Sequence, residues 1–228
     1  MSENQLVKLS GASDLVPKHS SAEMAAVMSG GGWLPRLQLI TAKSGHASSG
    51  AFPVNHWALI SGKKMTDLGA QIDVVVLAER PMAMDTSGEE LIVCHEMKMD
   101  EANEPTGEFA RIMAEESVQD SGCMYGPEFL LWIPQTQQFV TYFMGSKSAR
   151  VEAPNLSAKL YNSATLNSVD AKSGKWQWRA PEVFECTAAN LALPPQDKME
   201  SEVKKFLNPT TAEVERVDEA GGGENPVR

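Results

Sequence analysis

Between Met24 and Met65 the chain has no acidic residue, although Asp and Glu outnumber Lys and Arg thirty to twenty over its 228 residues. Cysteine is scarce and odd in number. Cys94, Cys123 and Cys186 stand far apart, and no basic opening with an apolar run behind it starts the chain, so neither secretion nor a disulfide framework is expected and a reducing cytoplasm fits. No stretch approaches the roughly eighteen apolar residues of a spanning helix; the apolar runs are short, such as Val74 to Ala78 and Phe129 to Ile133, and a soluble protein with no membrane partner is predicted. Also missing are a Gly-rich phosphate loop, a dinucleotide fingerprint, a Gly-x-Ser-x-Gly elbow and a His-Glu-x-x-His pair. A non-enzyme without a cofactor follows as the expectation.

Two acidic or ligand-rich stretches are weighed against that. Cys94-His95-Glu96 offers three ligand types, but neighbours on a strand point to opposite faces and no second pair stands at zinc spacing. The carboxylates Asp85, Glu89, Glu90, Glu96, Asp100 and Glu101 could collect divalent ions as in a nuclease. A solvated acidic surface is the stronger reading, because the run continues through Glu104 and Glu108 without a Glu-x-Lys arrangement. Twelve methionines are scattered without a stripe and suit gap filling.

What is present is segregated charge. Residues 1–66 hold six Lys and Arg against three Asp and Glu (+3), residues 67–121 three against fourteen (−11), residues 122–181 six against three (+3), and residues 182–228 five against ten (−5). The two basic blocks also hold twelve of the fifteen aromatics. Cations for phosphates and flat faces for bases are what unpaired nucleic acid requires. The alternative for any single aromatic is a place in the core of a β-rich segment.

Local pattern predicts three parts: a flexible arm over 1–32 with a short helix at 21–28, a folded body over 33–207, and a polar, disordered tail over 208–228. Leu37 to Ala42, Asn55 to Ser61, Gln71 to Ala78 and Leu91 to Met97 read as strands bounded by turn residues, which suggests a curled antiparallel sheet. Phe129 to Ile133 and Gln138 to Met144 form a hairpin across residues 134–137. Phe109, Ile112 and Met113 give Glu108 to Ser117 an amphipathic helical period. Asn155 to Asn162 is expected to be helical, Lys175 to Arg179 a strand ended by Pro181, Val183 to Leu193 a last strand, and Asp197 to Leu207 a helix with Met199, Val203 and Phe206 on one side. The expected fold class is mainly β with short helices.

The order of these pieces carries a resemblance. Trp33 to Ile40, Gly50 to Phe52, the strand ending in Leu59-Ile60-Ser61-Gly62-Lys63-Lys64, and Ile72 to Leu77 resemble the opening of bacteriophage single-stranded DNA-binding proteins of the oligonucleotide/oligosaccharide-binding (OB) barrel type. Gln138 to Ser148, a helix and the Trp176-to-Leu193 segment are similar to their second half. The likeness spans about residues 33–207 in layout more than in identities. It implies an OB-like curled antiparallel barrel with added elements, a role in phage DNA replication or recombination in the host cytoplasm, no cofactor, and replication or recombination proteins as partners. The chain departs from the pattern at its end, Glu224-Asn225-Pro226-Val227-Arg228, where many such proteins close an acidic peptide on an aromatic residue.

The predicted role is sequence-tolerant binding of single-stranded DNA, with homo-oligomers possible. Arg36, Lys43, Lys63, Lys64, Lys147, Arg150, Lys159 and Arg179 are the candidate phosphate contacts, and Trp57, Trp132, Tyr142, Phe143, Trp176 and Trp178 the candidate stacking faces. Strand alternation allows only one of Tyr142 and Phe143 to face a ligand and places Trp176 and Trp178 on one side. The competing prediction is a viral structural or assembly protein whose acidic and basic blocks pair between subunits.

Overall fold

The computed structural model describes residues 19–20, 34–42, 52–62, 64–88, 90–118, 121–173, 176–188 and 191–208. Apart from His19–Ser20 and Asn208, the expected arm with its helix and the expected tail lie outside the described residues. The axis of the fold is β5 (Gln71–Asp85), whose Val74-Val75-Val76 run favours extended backbone and which pairs antiparallel with β9 (Cys123–Ile133) from Val75↔Trp132 to Asp85↔Cys123. One extra residue, Leu77, bulges between Val76 and Ala78 and inverts the alternation. Before the bulge Ile72, Val74 and Val76 fill one core while Val75 faces the other; after it Ala78 joins Val75 on that other face.

From β9 the sheet runs through β10 (Gln138–Phe143) and β2 (Arg36–Leu39) to β3 (Trp57–Ser61) and β4 (Lys64–Asp67). The β9–β10 hairpin turns at residues 134–137, as expected, with Gln137 at φ 54°. On its other edge β5 takes β11 (Ser163–Ser173) along Gln71 to Val75 and β6 (Glu90–Cys94) along Ala83 to Asp85. β12 (Trp176–Glu185) pairs with β11, and β1 (His19–Ser20) with β6. β7 (Lys98–Met99) and β8 (Pro105–Thr106) form a separate small hairpin.

The chain is mainly β with three short helices among the described residues, α1 (Gly107–Glu115), α2 (Lys147–Ser157) and α3 (Gln196–Leu207). The expected antiparallel barrel is corrected in two respects: β2 and β10 are parallel, and the sheet stays open, with β4 at one end and, beyond β5, two branches that end in β1 and in β12. α2 covers the main core through Ala149, Ala153 and Leu156, α3 packs Met199, Val203 and Phe206 on Val75, Leu77, Leu130 and Trp132, and α1 seats Phe109 and Ile112 on Ala83 and Cys123.

Three predicted elements shift for local reasons. The helix expected over Asn155 to Asn162 lies earlier, because the Ser146 hydroxyl accepts from the Ala149 amide at 3.2 Å and so starts α2 at Lys147. Pro154 then falls inside its last turns, Lys159 leaves the helix in a turn, and Leu160 forms an isolated bridge with Val76. Pro181 does not end the strand begun at Trp176. β12 is an edge strand, where a missing N–H costs no ladder bond, and it continues to Glu185; the strand expected as far as Leu193 stops there.

Candidate nucleic-acid interface

The predicted stacking faces divide sharply. Trp57 is 0 % exposed and meets Tyr142 edge to face at 5.4 Å, both inside the main core, where burial pushes the Tyr142 phenol pKa up. Trp132 is also buried, tilts against Phe139 at 4.9 Å and donates its indole N–H to the Ala192 carbonyl at 2.7 Å. These three are corrected from ligand faces to core residues, since Trp57 and Tyr142 lie with Ala149, Ala153 and Leu156 of α2 in the main core and Trp132 lies with Met199, Val203 and Phe206 of α3 on the other face of the sheet. Phe143 takes the opposite face from Tyr142, as alternation requires, but is half-buried against Met82, Met84 and Leu91. Trp178 is 39 % exposed. The backbone of Trp176 stands opposite Ser173 in β12.

Most of the predicted phosphate contacts already have protein partners. Arg150 donates to the Tyr125 carbonyl at 2.8 Å, to the Gly145 carbonyl and to Glu116 at 3.0 Å, and its guanidinium lies 4.1 Å over the Tyr125 ring. That arginine ties α2 to β9 and to the end of α1, and is corrected to a structural residue. Lys159 is paired with Glu185, and Arg179 with Asp170 at 3.0 Å across the β11–β12 pair. Arg36 is half-buried, donates to Gln38 at 3.2 Å, and burial lowers its pKa. Lys64 on β4 and Lys147 at the start of α2 are exposed. Lys43 and Lys63 lie outside the described residues. The fourteen predicted positions therefore do not form one groove.

One element does combine an exposed aromatic with positive charge. β5 supports β11 only from Ser163 to Asn167, so Ser168–Ser173 and Trp176–Pro181 continue as a two-stranded ribbon of about 20 Å. Trp178 stands opposite Ala171, Lys172 opposite Gln177 and Arg179 opposite Asp170. Lys172 and Arg179 against Asp170, with which Arg179 is paired, give the described ribbon residues 168–173 and 176–181 a formal charge of +1 within a chain of −10. Phe184, three alternations further along the Trp178 face, is 42 % exposed. Sequence reading passed over Phe184 and Lys172; the signal available was the Trp176-x-Trp178-x-x-x-x-x-Phe184 parity.

The acidic candidates are engaged elsewhere. Arg111 bonds Asp85 at 2.7 Å, Glu108 at 2.5 Å and Glu115 at 2.6 Å. Burial works to raise the Asp85 pKa, but the Ser87 hydroxyl at 2.6 Å, the Ser87 amide at 2.9 Å and Arg111 outweigh it and hold the carboxyl at about 2. Asp85, Glu115 and Cys123 bring ligand atoms within 4.8 Å of one another, yet the guanidinium of Arg111 bonds both carboxylates and supplies the positive charge. Asp100 accepts from the Ala102 and Glu104 amides and shapes its own hairpin. His95 lies 3.8 Å from Glu128, which is paired with Arg80 at 2.7 Å. Burial, with the Arg80 charge, lowers the His95 pKa to about 3. Cys94, His95 and Glu96 thus serve separate surroundings.

No family model, no curated protein and no solved structure matches this chain. Among the described residues, the class that fold and surface define is an open, mixed-sheet β protein with three short helices and an outer two-stranded ribbon that carries an exposed indole. No helix among the described residues is long and apolar enough to cross a membrane.

Proposed function

We propose that this protein binds single-stranded DNA stoichiometrically and with little sequence preference, protecting unpaired strands during phage DNA replication or recombination in the host cytoplasm. It needs no cofactor and catalyses no reaction in this reading. The observation that carries it is the outer β11–β12 ribbon, on which Trp178 is 39 % exposed on one face while Lys172 and Arg179 stand on the other. Aromatic faces accept any base, and cations across a ribbon only two strands wide neutralise phosphates, so the combination favours unpaired strands over a particular sequence. The second support is the layout of residues 33–207, read as an opened variant of the OB-type sheet.

The test is an electrophoretic mobility shift of labelled oligo-dT and of a duplex of equal length at low salt. The expected result is a salt-sensitive shift of the single strand at protein concentrations that leave the duplex free. No shift of oligo-dT, or a stronger shift of the duplex, would refute the reading.

A further inference from the structure

Residues 77–82 of β5 have a strand partner on one side only. β11 pairs with β5 as far as Val75, β6 begins at Ala83, and between them only β9 accompanies β5. The register against β9 decides which main-chain groups the open side holds. The Pro127 carbonyl accepts from the Met144 amide at 2.9 Å on the β10 side, so Pro81 and Pro127, which stand opposite each other, turn their main chains apart. Such pairs recur at every second residue of an antiparallel ladder, and Glu79 therefore points its N–H and C=O into the gap as well. Its neighbours on that side are engaged. The Val76 amide donates to the Asn162 carbonyl at 3.0 Å, the Val76 carbonyl accepts from the Tyr161 amide at 2.7 Å, and the Pro81 carbonyl accepts from the His95 ring.

A groove of about 620 Å³ lies at this gap. The successive residues Ala78, Glu79, Arg80 and Pro81 all line it, and since their side chains alternate between the two faces of the sheet, the groove opens on the edge of the strand. Phe109 and Met113 of α1 close it on the Ala83 face, and Leu207 closes it at the end of α3, near where Arg80 lies over the Phe206 ring and is held by Glu128. At its rim Met97 is 40 % exposed, Leu207 48 % and Tyr161 78 %.

Open strand edges pair with other chains unless charge or proline stands in the way. Pro81 and Glu79 supply both, so a purely apolar strand is a poor occupant. The wall selects for the opposite charge. Beside Met97, Glu96, Asp100, Glu101 and Glu104 are all exposed against a single Lys98, a formal charge of −3 over residues 96–104. The chain beyond Asn208 starts at this rim but has the same sign as the wall, with five Asp and Glu against two Arg over residues 209–228. A basic segment from another molecule fits better.

We propose that the slot between β11 and β6 takes an extended, basic peptide of a partner protein as an added strand. One of its residues pairs with the Glu79 main chain, its apolar side chains alternate between the Phe109 and Met113 wall and the Leu207 wall, and its Lys or Arg residues meet Glu79 and the acidic hairpin. Trp178 stays free. β11 runs from Ser163 beside Val75 towards Asn167 beside Gln71, so the ribbon leads away from residues 77–82, and peptide and DNA occupy separate places.

Fluorescence anisotropy tests this with a labelled nonapeptide, Lys-Lys-Val-Leu-Val-Leu-Val-Lys-Lys, titrated with nuclease-treated full-length protein. The expected result is saturable binding at low salt that weakens at least several-fold at about 1 M salt, where charges are screened beyond about 3 Å. The same peptide with Glu in place of Lys, or with Pro in place of the central Val, should bind at least several-fold more weakly. Met97→Ser with Leu207→Ser, and separately Asp100→Lys with Glu101→Lys and Glu104→Lys, all exposed changes, should each weaken binding at a nearly unchanged thermal midpoint. Residue-resolved hydrogen exchange should show the Glu79 amide protected only when the peptide is bound. No saturation at low salt, equal binding of the Glu or Pro peptide, or binding untouched by both sets of substitutions overturns the proposal. A Glu79 amide already protected in the free protein also overturns it, since the chain itself or a second copy would then fill the slot. No nucleic acid is present and Trp178→Ala should bind the peptide normally, so failure here leaves the DNA-binding reading standing, and a failed oligo-dT shift leaves peptide binding measurable.

Discussion

Cutting Trp178 to Ala separates a ligand face from a core residue in a single variant. The indole is 39 % exposed, sits opposite Ala171 on the unsupported part of the ribbon, and belongs to none of the hydrophobic clusters of the fold. Its loss removes one cross-strand contact, which is worth about 0.2–1 kcal/mol. That corresponds to a fall in thermal midpoint of at most about 4 °C for a domain of this size. A base stacked on an aromatic is worth about 1–3 kcal/mol by alanine substitution. The predicted loss of oligo-dT affinity is therefore about 5- to 150-fold, at 1.4 kcal/mol per factor of ten. The assay pairs fluorescence-anisotropy titration of labelled oligo-dT with a thermal melt of the same preparation. Trp57→Ala is the contrasting variant: its side chain is 0 % exposed, and its removal should cost about 3–5 kcal/mol of stability. Full affinity with a normal midpoint in Trp178→Ala, or a midpoint that collapses as in Trp57→Ala, would refute the reasoning.

Three further outcomes follow from other parts of the molecule. Lys172→Ala should lower the slope of log affinity against log salt by about 0.7, the share of one phosphate contact on a single strand, whereas Lys64→Ala, on β4 at the far end of the strand order, should leave it unchanged; equal slopes for both variants would detach the ribbon from the phosphates. Asp85 is held at about 2 in the fold against about 3.9 in an unfolded chain, so the stability it contributes, about 2 kcal/mol, is complete above about pH 5 and is lost as pH falls towards 2. Acid melts of Asp85→Asn should be correspondingly flatter in that window, and an unchanged pH profile would contradict the pairing with Ser87 and Arg111. Gly126→Ala should lower the thermal midpoint strongly, since a Cβ there would come within 2.3 Å of the Met144 carbonyl oxygen; an unaltered melt would contradict that packing.

Hydrophobic period made the central hairpin and two helices legible in the sequence: Phe129 to Ile133, Gln138 to Met144, Phe109 with Ile112, and Met199 with Val203 and Phe206 all pack as their spacing implied. β11 was not legible, because Ser163-Ala164-Thr165-Leu166-Asn167-Ser168 is mostly polar. It becomes a strand because Ala164 and Leu166 reach the main core while β5 and β12 hold its two edges. The bulge at Leu77 has no local signal either; it shows only in the register against β9.

The candidate site was legible as composition and not as geometry. Which aromatics are buried depends on neighbours distant in sequence, as where Trp57 meets Tyr142. The same holds for charge. Arg150 finds Glu116 and Lys159 finds Glu185, partners supplied by other elements, so the sequence count of cations overstated the number open to a phosphate. Trp178 and Arg179 share one outer element with the backbone of Trp176, and Lys172 stands on it opposite Gln177.

Intrinsic tryptophan fluorescence during titration with oligo-dT tests the central claim most directly, because Trp57 and Trp132 are buried and the exposed Trp178 is the described indole that a strand can reach. The account predicts a saturable quench at low salt that weakens as salt rises and is largely lost in Trp178→Ala. A flat signal in the native protein at saturating oligo-dT, or an undiminished quench in Trp178→Ala, would contradict it.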